Sequence, residues 1–309
     1  MELDSDNLER DSVLTKVDEN LTLDHVIGQP KAIEVLRRLV DQIKYTSLFE
    51  WWGLEKPKAL ALVGEPGTGK TFSIRALANE VDCPLMELKY EDIASHLYDE
   101  SIKRLAAFKE QAAEIAAHYG HIIILIDEGD VFFQDRSNGN VHASDVKKTT
   151  FFLRWLDGDL EGTQDITLVV TSNNWDLVDA AIRRPGRFLK VEYDKLTKED
   201  IVNVLRTHID LYEKKVGHKL FRADATKNIN ADIAGVSGAD VKSILDRVLE
   251  AKALSQLQEI LSDDLLSDLP MEIALKRVKK TLVTSKDLSD GVQSFLDEHL
   301  SDSERKVGF

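Results

Sequence analysis

Five short apolar runs punctuate the first two thirds of the chain, at residues 59–63, 85–88, 122–126, 166–170 and 189–193. Between them the apolar positions change to helical spacing, which predicts helices near 71–80, 101–118 and 144–157 and a shorter one around 176–183. Ahead of the first run, Ala32, Val35, Leu36, Leu39, Val40 and Ile43 share one helical face behind Pro30, a residue suited to a first turn. Residues 30–45 are therefore predicted as an amphipathic helix. Strand-like runs alternating with helices predict a parallel sheet covered on both faces. Ligands on such sheets gather at the carboxyl ends of the strands, here the ends of 59–63, 122–126 and 166–170. Trp51 and Trp52 precede the first run and are predicted to pack beneath the leading helix rather than to form a ligand cage.

The pattern changes after about residue 194. Helical spacing covers 198–212, 238–261, 270–281 and 284–298, with an acidic connector from Leu261 to Pro270 and no strand signal. The expected organisation is a flexible acidic segment (1–21), an α/β domain (22–193) and a helical domain with a C-terminal extension (194–309).

Composition narrows the function. The chain has 309 residues, 43% of them hydrophobic, and a formal net charge of −15. That charge opposes broad nucleic-acid affinity, so a nucleic-acid partner is not expected. Cys83 is the single cysteine, which excludes a disulfide framework and a cysteine-based zinc site. No apolar stretch approaches membrane-spanning length, and the acidic start is unlike a signal or transit peptide, so a cytoplasmic protein is expected.

The strongest chemical signal follows the first run. Gly64-Glu65-Pro66-Gly67-Thr68-Gly69-Lys70-Thr71 has the spacing G-x-x-x-x-G-K-T between a predicted strand and a predicted helix. Glycines there let backbone N–H groups face a polyphosphate at a helix start. Lys70 would reach the β- and γ-phosphates, and Thr71 would ligate Mg²⁺. The fold class expected is an α/β P-loop NTPase with a central parallel sheet.

Run 122–126 delivers Asp127 and Glu128 at its tip. Beside a phosphate loop these read as a Mg²⁺ ligand, Asp127, and as the base that polarises the attacking water, Glu128. Run 166–170 ends in Thr171-Ser172-Asn173-Asn174, where an amide would contact the γ-phosphate or serve simply as a turn residue. His118 and His121 form an H-x-x-H pair with no third ligand nearby in sequence, and a helix end favours histidine for its dipole, so a second metal is not expected.

The segment from Ser172 to Phe188, with Asn173, Asp176, Asp179-Ala180-Ala181-Ile182-Arg183-Arg184 and Pro185-Gly186-Arg187-Phe188, resembles the second region of homology of the AAA ATPases. The resemblance runs from about residue 22 to 254 and implies an AAA+ large domain followed by a small helical lid. It implies that Asn173 is the sensor-1 residue and that Arg184 and Arg187 are arginine fingers serving a neighbouring subunit's nucleotide. It also implies ATP and Mg²⁺ as ligands and a ring-shaped homo-oligomer, a hexamer. Ile27 and Gly28 stand where the family's entry segment lies near adenine. His208 matches the histidine expected to border the base, although a core or capping role is the alternative on its residue type alone. Gly238 and Ala239 match the lid's G-x-S-G-A-D motif, which lets backbone approach the nucleotide.

Four positions depart from the family pattern: Glu65 for proline, Gly129 for an apolar residue after D-E, Gly158-Asp159 without the usual apolar residue, and Ser95–Ser101. The last is where the family carries an aromatic–apolar–glycine grip on threaded polypeptide. Leu97 and Tyr98 are the corresponding substrate-loop residues, with the aromatic displaced by one position and Asp99 in place of glycine; Tyr98 either grips substrate or packs at the loop base. Arg136–Asn140 resembles a second, polar pore loop. The expected function is a ring-forming ATPase that remodels or unfolds a protein substrate, whose identity the sequence does not name. A nucleic-acid-directed motor and a nucleotide-dependent scaffold are the alternatives.

Overall fold

In the computed structural model the five apolar runs form one parallel sheet with strand order β2-β3-β4-β1-β5. The strands are β1 (Ala59–Val63), β2 (Leu85–Glu87), β3 (Ile122–Ile126), β4 (Ile166–Ser172) and β5 (Leu189–Glu192). The structure describes residues 14–93, 100–134, 143–227, 229, 233, 236–263, 265–278 and 281–299. The central strands β3 and β4 are buried along their whole length. They lack polar alternation because helices cover both faces.

The helices around the sheet are α1 (Pro30–Lys44), α3 (Lys70–Val81), α4 (Tyr90–Ile93), α5 (Glu100–Tyr119), α6 (Gly129–Phe132) and α7 (Ala143–Asp157), with the short α2 (Thr46–Trp51) leading off α1. Pro30 occupies the first turn of α1, whose Ala32, Leu36, Leu39 and Val40 are buried. Behind β3 and β4, Phe132, Phe133, Phe152 and Trp155 pack with Ile124, Leu168 and Val170. The Phe152 and Trp155 rings stack at 6.0 Å. This aromatic block fixes α6 and α7 against the strands whose tips carry the polar residues.

Three expectations change. Within residues 14–21, expected to be flexible, the two ends are tied down: Thr15 N–H donates to Leu85 O at 2.8 Å on the sheet, and Leu21 is buried. Residues 176–183 are a 3₁₀ turn at Trp175–Leu177 followed by turns, not a helix. Side chains take over the backbone bonds there: Asp179 accepts from Ala181 N–H at 2.8 Å and Arg183 donates to Val178 O at 2.8 Å. Finally, Trp51 and Trp52 do not pack beneath α1. They are 76% and 68% exposed, because the six-residue α2 buries none of its side chains.

The chain divides into two compact units at Lys195/Leu196. The second unit holds α8 (Lys198–Val216), α9 (Gly238–Ser262), α10 (Met271–Arg277) and α11 (Ser285–His299). Helix α8 starts in a Thr197–Asp200 capping box and stops at Gly217 in the left-handed conformation, and α9 starts in a Ser237–Asp240 capping box. Leu205, Ile209, Val241, Ile244, Leu245, Leu288 and Val292 form its core. No helix among the described residues is long and apolar enough to cross a membrane.

Candidate functional site

The carboxyl ends of β1, β3 and β4 converge on one polar centre. The phosphate loop leaves β1 at Gly64, where an added Cβ would lie 2.5 Å from the Tyr193 carbonyl, so β5 and the loop approach too closely for a side chain. Gly69 at φ +94° then turns the chain into α3. Exposed Pro66 and half-buried Gly67 form the crest between these two glycines, and Thr68 closes it through its hydroxyl on Glu65 O at 2.8 Å. The carboxylate of Glu65 pairs at 3.6 Å with Lys195.

Lys70 opens α3 and curls back through the loop. Its Nζ donates to Gly64 O at 2.7 Å, Glu65 O at 2.8 Å and Asn173 Oδ1 at 2.9 Å. Burial lowers the affinity of this amine for its proton, while Asp127 and Asp130 oppose that trend. The ammonium is thus held where a phosphate would be cradled, and Asn173 is joined to it from β4.

Thr71 and Asp127 face each other across the same space. The Thr71 hydroxyl lies 3.1 Å and 3.3 Å from the two Asp127 carboxylate oxygens. A hydroxyl beside a carboxylate is the hard oxygen pair that Mg²⁺ takes while keeping several waters, so these residues fit that ion. Thr171 donates to Asp127 from β4, and the Glu128 N–H reaches both Asp127 Oδ1 and Thr171 Oγ1 at 3.2 Å. Glu128 itself is exposed and adopts φ +55°, a conformation that costs a non-glycine residue about 1–3 kcal/mol. Those two backbone bonds hold it there.

The two arginines lie elsewhere. Leu189 pairs with Leu60 and Glu192 with Val63, so Arg187 is level with Lys58, at the amino end of β1. Gly64 is six residues farther along, about 20 Å away at strand rise. Arg187 grips Asp157 with two bonds, Nε to Oδ1 at 2.9 Å and Nη2 to Oδ2 at 2.7 Å, and Nη1 donates to Ala181 O. These bonds hold the Asp157 carboxyl below its usual range. Arg184 is exposed beside them.

Residues 60–196 match the family described as ATPase family associated with various cellular activities (AAA). The α/β unit is an AAA ATPase domain. Similar proteins include a Cell division cycle protein 48 homolog of Archaeoglobus fulgidus, 34% identical over 61% of this chain and 25% of that protein. A 26S proteasome regulatory subunit 8 homolog of Schizosaccharomyces pombe is 31% identical over 72% of this chain and 54% of its own length. The ATP-dependent zinc metalloprotease FtsH 2 of Salinibacter ruber is 31% identical over 75% of this chain and 33% of its length. The chain thus spans from a quarter to just over half of these relatives.

The AAA domain brings together Lys70, Thr71, Asp127, Glu128 and Asn173 and leaves Arg184 and Arg187 at the far edge of its sheet. Ile27 and Gly28 approach the loop through a residue that sequence reasoning passed over. Gln29 is buried, donates to Asp194 O at 2.7 Å and to Thr68 O at 3.4 Å, and accepts from Asp194 N–H at 2.9 Å. It pins the entry segment to the phosphate loop. Its signal was a polar side chain directly before Pro30, at a helix start. Thr171 was also missed, although a hydroxyl closing an apolar strand beside two acids is a readable sign.

His121 points away from this centre. Its Nε2 lies 3.0 Å from Thr167 Oγ1 and its Nδ1 3.4 Å from Lys56 Nζ, and burial with that ammonium holds its pKa at about 4. His118 is exposed, edge-on to Tyr119. In the helical unit, His208 sits on α8, its pKa lowered chiefly by burial and secondarily by Lys242, with Asp246 opposing. Gly238 and Ala239 are the first residues of α9. Leu97, Tyr98 and the 136–140 stretch lie outside the described residues.

Gly129 explains its own departure from the family pattern. A Cβ there would meet Val170 Cγ1 at 2.1 Å and Thr171 O at 3.0 Å. Gly129→Ala is expected to destabilise the AAA domain by about 1–3 kcal/mol, the ordinary cost of overpacking, read as a lowered thermal midpoint. An unchanged midpoint would show that the strand yields freely.

Proposed function

We propose that the chain is a ring-forming ATPase, a homo-oligomer and by family likeness a hexamer, that couples Mg-ATP hydrolysis to the remodelling of protein substrates in the cytoplasm. One observation carries the ring: Arg187 lies at the amino end of β5, about 20 Å from the phosphate loop of its own chain. A finger so placed serves only a nucleotide presented by another copy. The arrangement is head-to-tail, and a closed ring follows if the rotation closes.

The loop glycines and the backbone N–H groups of Gly67–Gly69 hold the phosphates, and Lys70 gives up Gly64 O and Glu65 O to bind the β- and γ-oxygens. Thr71 and Asp127 hold Mg²⁺, which when bound supplies Lewis-acid charge to those oxygens. Glu128 takes a proton from the attacking water. Asn173 orients that water or the γ-oxygens while steadying Lys70. Arg187 and Arg184 of a second copy stabilise charge on the transferred group. Ile27, Gly28, His208, Gly238 and Ala239 are assigned to the base and the lid side of the nucleotide. Leu97 and Tyr98 are assigned to substrate contact.

Protein rather than nucleic acid is the favoured substrate because the net charge is −15 and the proteasome regulatory subunit stands among the similar proteins. The test is ATP turnover per chain across a dilution series, with unfolded polypeptide or single-stranded DNA added. Turnover should rise with protein concentration and respond to polypeptide. A flat profile would remove catalysis by a second copy, and stimulation by DNA alone would move the substrate to nucleic acid.

A further inference from the structure

Continuing along the edge that carries Arg187 leads to the exposed tryptophans. Asp157, which grips Arg187, is followed by Gly158, and an added Cβ on Gly158 would stand 2.8 Å from Lys58 Nζ. Gly158 and Lys58 line a groove of about 340 Å³ together with Phe49, Leu54, Asp165 and Ile166. The groove therefore opens at the amino ends of β1 and β4, the same end of the sheet as Arg187. Helix α2 forms its outer wall. Just beyond, Trp51 and Trp52 meet edge-to-face at 4.9 Å and stand open to solvent, with Tyr45, Leu48 and Leu54 also exposed around them.

We infer that this aromatic patch and its groove are an anchor between copies of this chain, seated on the copy whose phosphate-loop edge receives Arg187. The inference rests on the head-to-tail reading given above. Continuity names the occupant: Arg187 bonds Asp157, Gly158 follows it beside Lys58, and those two line the groove with Phe49 and Glu50, which lead directly into Trp51 and Trp52, so the copy that receives the finger is placed to reach the patch. Charge says why such an anchor is needed. Two chains of −15 repel, so association needs apolar burial rather than a general electrostatic attraction. Adjacent tryptophans held edge-to-face by each other lose little freedom on burial and are the side chains most enriched among binding hot spots. It also follows that salt, by screening the repulsion, strengthens the assembly.

The experiment compares wild type with Trp51→Ala/Trp52→Ala by sedimentation velocity, with Mg²⁺ and a non-hydrolysable ATP analogue, at low and high sodium chloride. The inference expects wild type to assemble, more readily at high salt, and the variant to need about tenfold more protein or higher. The variant's monomer should keep its melting midpoint and its affinity for a fluorescent nucleotide. A second reading uses wild type alone: iodide quenching of tryptophan emission should fall on assembly, because two of the four tryptophans lie in the patch. A variant that assembles like wild type, or unchanged iodide access in assembled wild type, overturns the anchor and leaves the ring standing. Wild type that stays monomeric with nucleotide overturns the ring and the anchor together.

Discussion

Glu128→Gln is expected to bind Mg-ATP with wild-type affinity and to hydrolyse it about 10²–10⁴-fold more slowly. The amide keeps the length and shape of the side chain but cannot accept a proton from water. Binding survives because the bonds that shape this corner are made by the backbone N–H of residue 128, to Asp127 Oδ1 and Thr171 Oγ1, not by its carboxylate. The side chain is exposed, so the substitution leaves no buried group without a partner. Single-turnover hydrolysis, measured beside equilibrium binding of a fluorescent analogue, separates the two effects. Wild-type hydrolysis in the variant would take Glu128 out of the reaction, and a matching loss of binding would give it a structural role instead.

The second large effect falls on Arg187. Arg187→Ala should lower turnover about 10³-fold or more, the usual scale for an arginine finger, with nucleotide affinity unchanged. The unchanged affinity follows from the strand register, which sets Arg187 about 20 Å from its own phosphate loop. Removing it releases Asp157, an exposed carboxylate that still has Lys58 and Arg184 nearby, so the fold should tolerate the change. Arg187→Lys should recover little, because one ammonium cannot reproduce a two-pronged guanidinium contact. Mixing supplies the decisive reading. When the variant is titrated into wild type at constant total protein, activity should fall out of proportion to the fraction added. A strictly proportional fall would assign Arg187 to its own chain.

Much of this was legible in the chain because the signals are local. β1 through β5 were read from apolar runs and the phosphate loop from its glycine spacing, since buried parallel strands and tight phosphate turns admit few residue types. What escaped depends on contacts between distant segments. Gln29 is important because Asp194 and Thr68 lie beside it, and Thr171 because β3 runs next to β4. The 176–183 stretch has helical spacing, yet Asp179 and Arg183 capture backbone groups with their side chains. Trp51 and Trp52 were expected inside on hydrophobicity, a rule that works in one direction only. For Arg184 and Arg187 the sequence supplied a likeness, and strand register supplied the direction in which they can act.

Gly129 and Val170 are 41 positions apart and occupy one volume. The space missing at one is filled by a methyl of the other. Neither can drift alone: a larger residue at 129 demands a smaller one at 170, and trimming Val170 opens a void beneath the Asp127–Glu128 turn. Relatives that carry a bulkier residue after the paired acids should carry a compensating small one on the neighbouring strand, so the two sites inherit their changes as a pair.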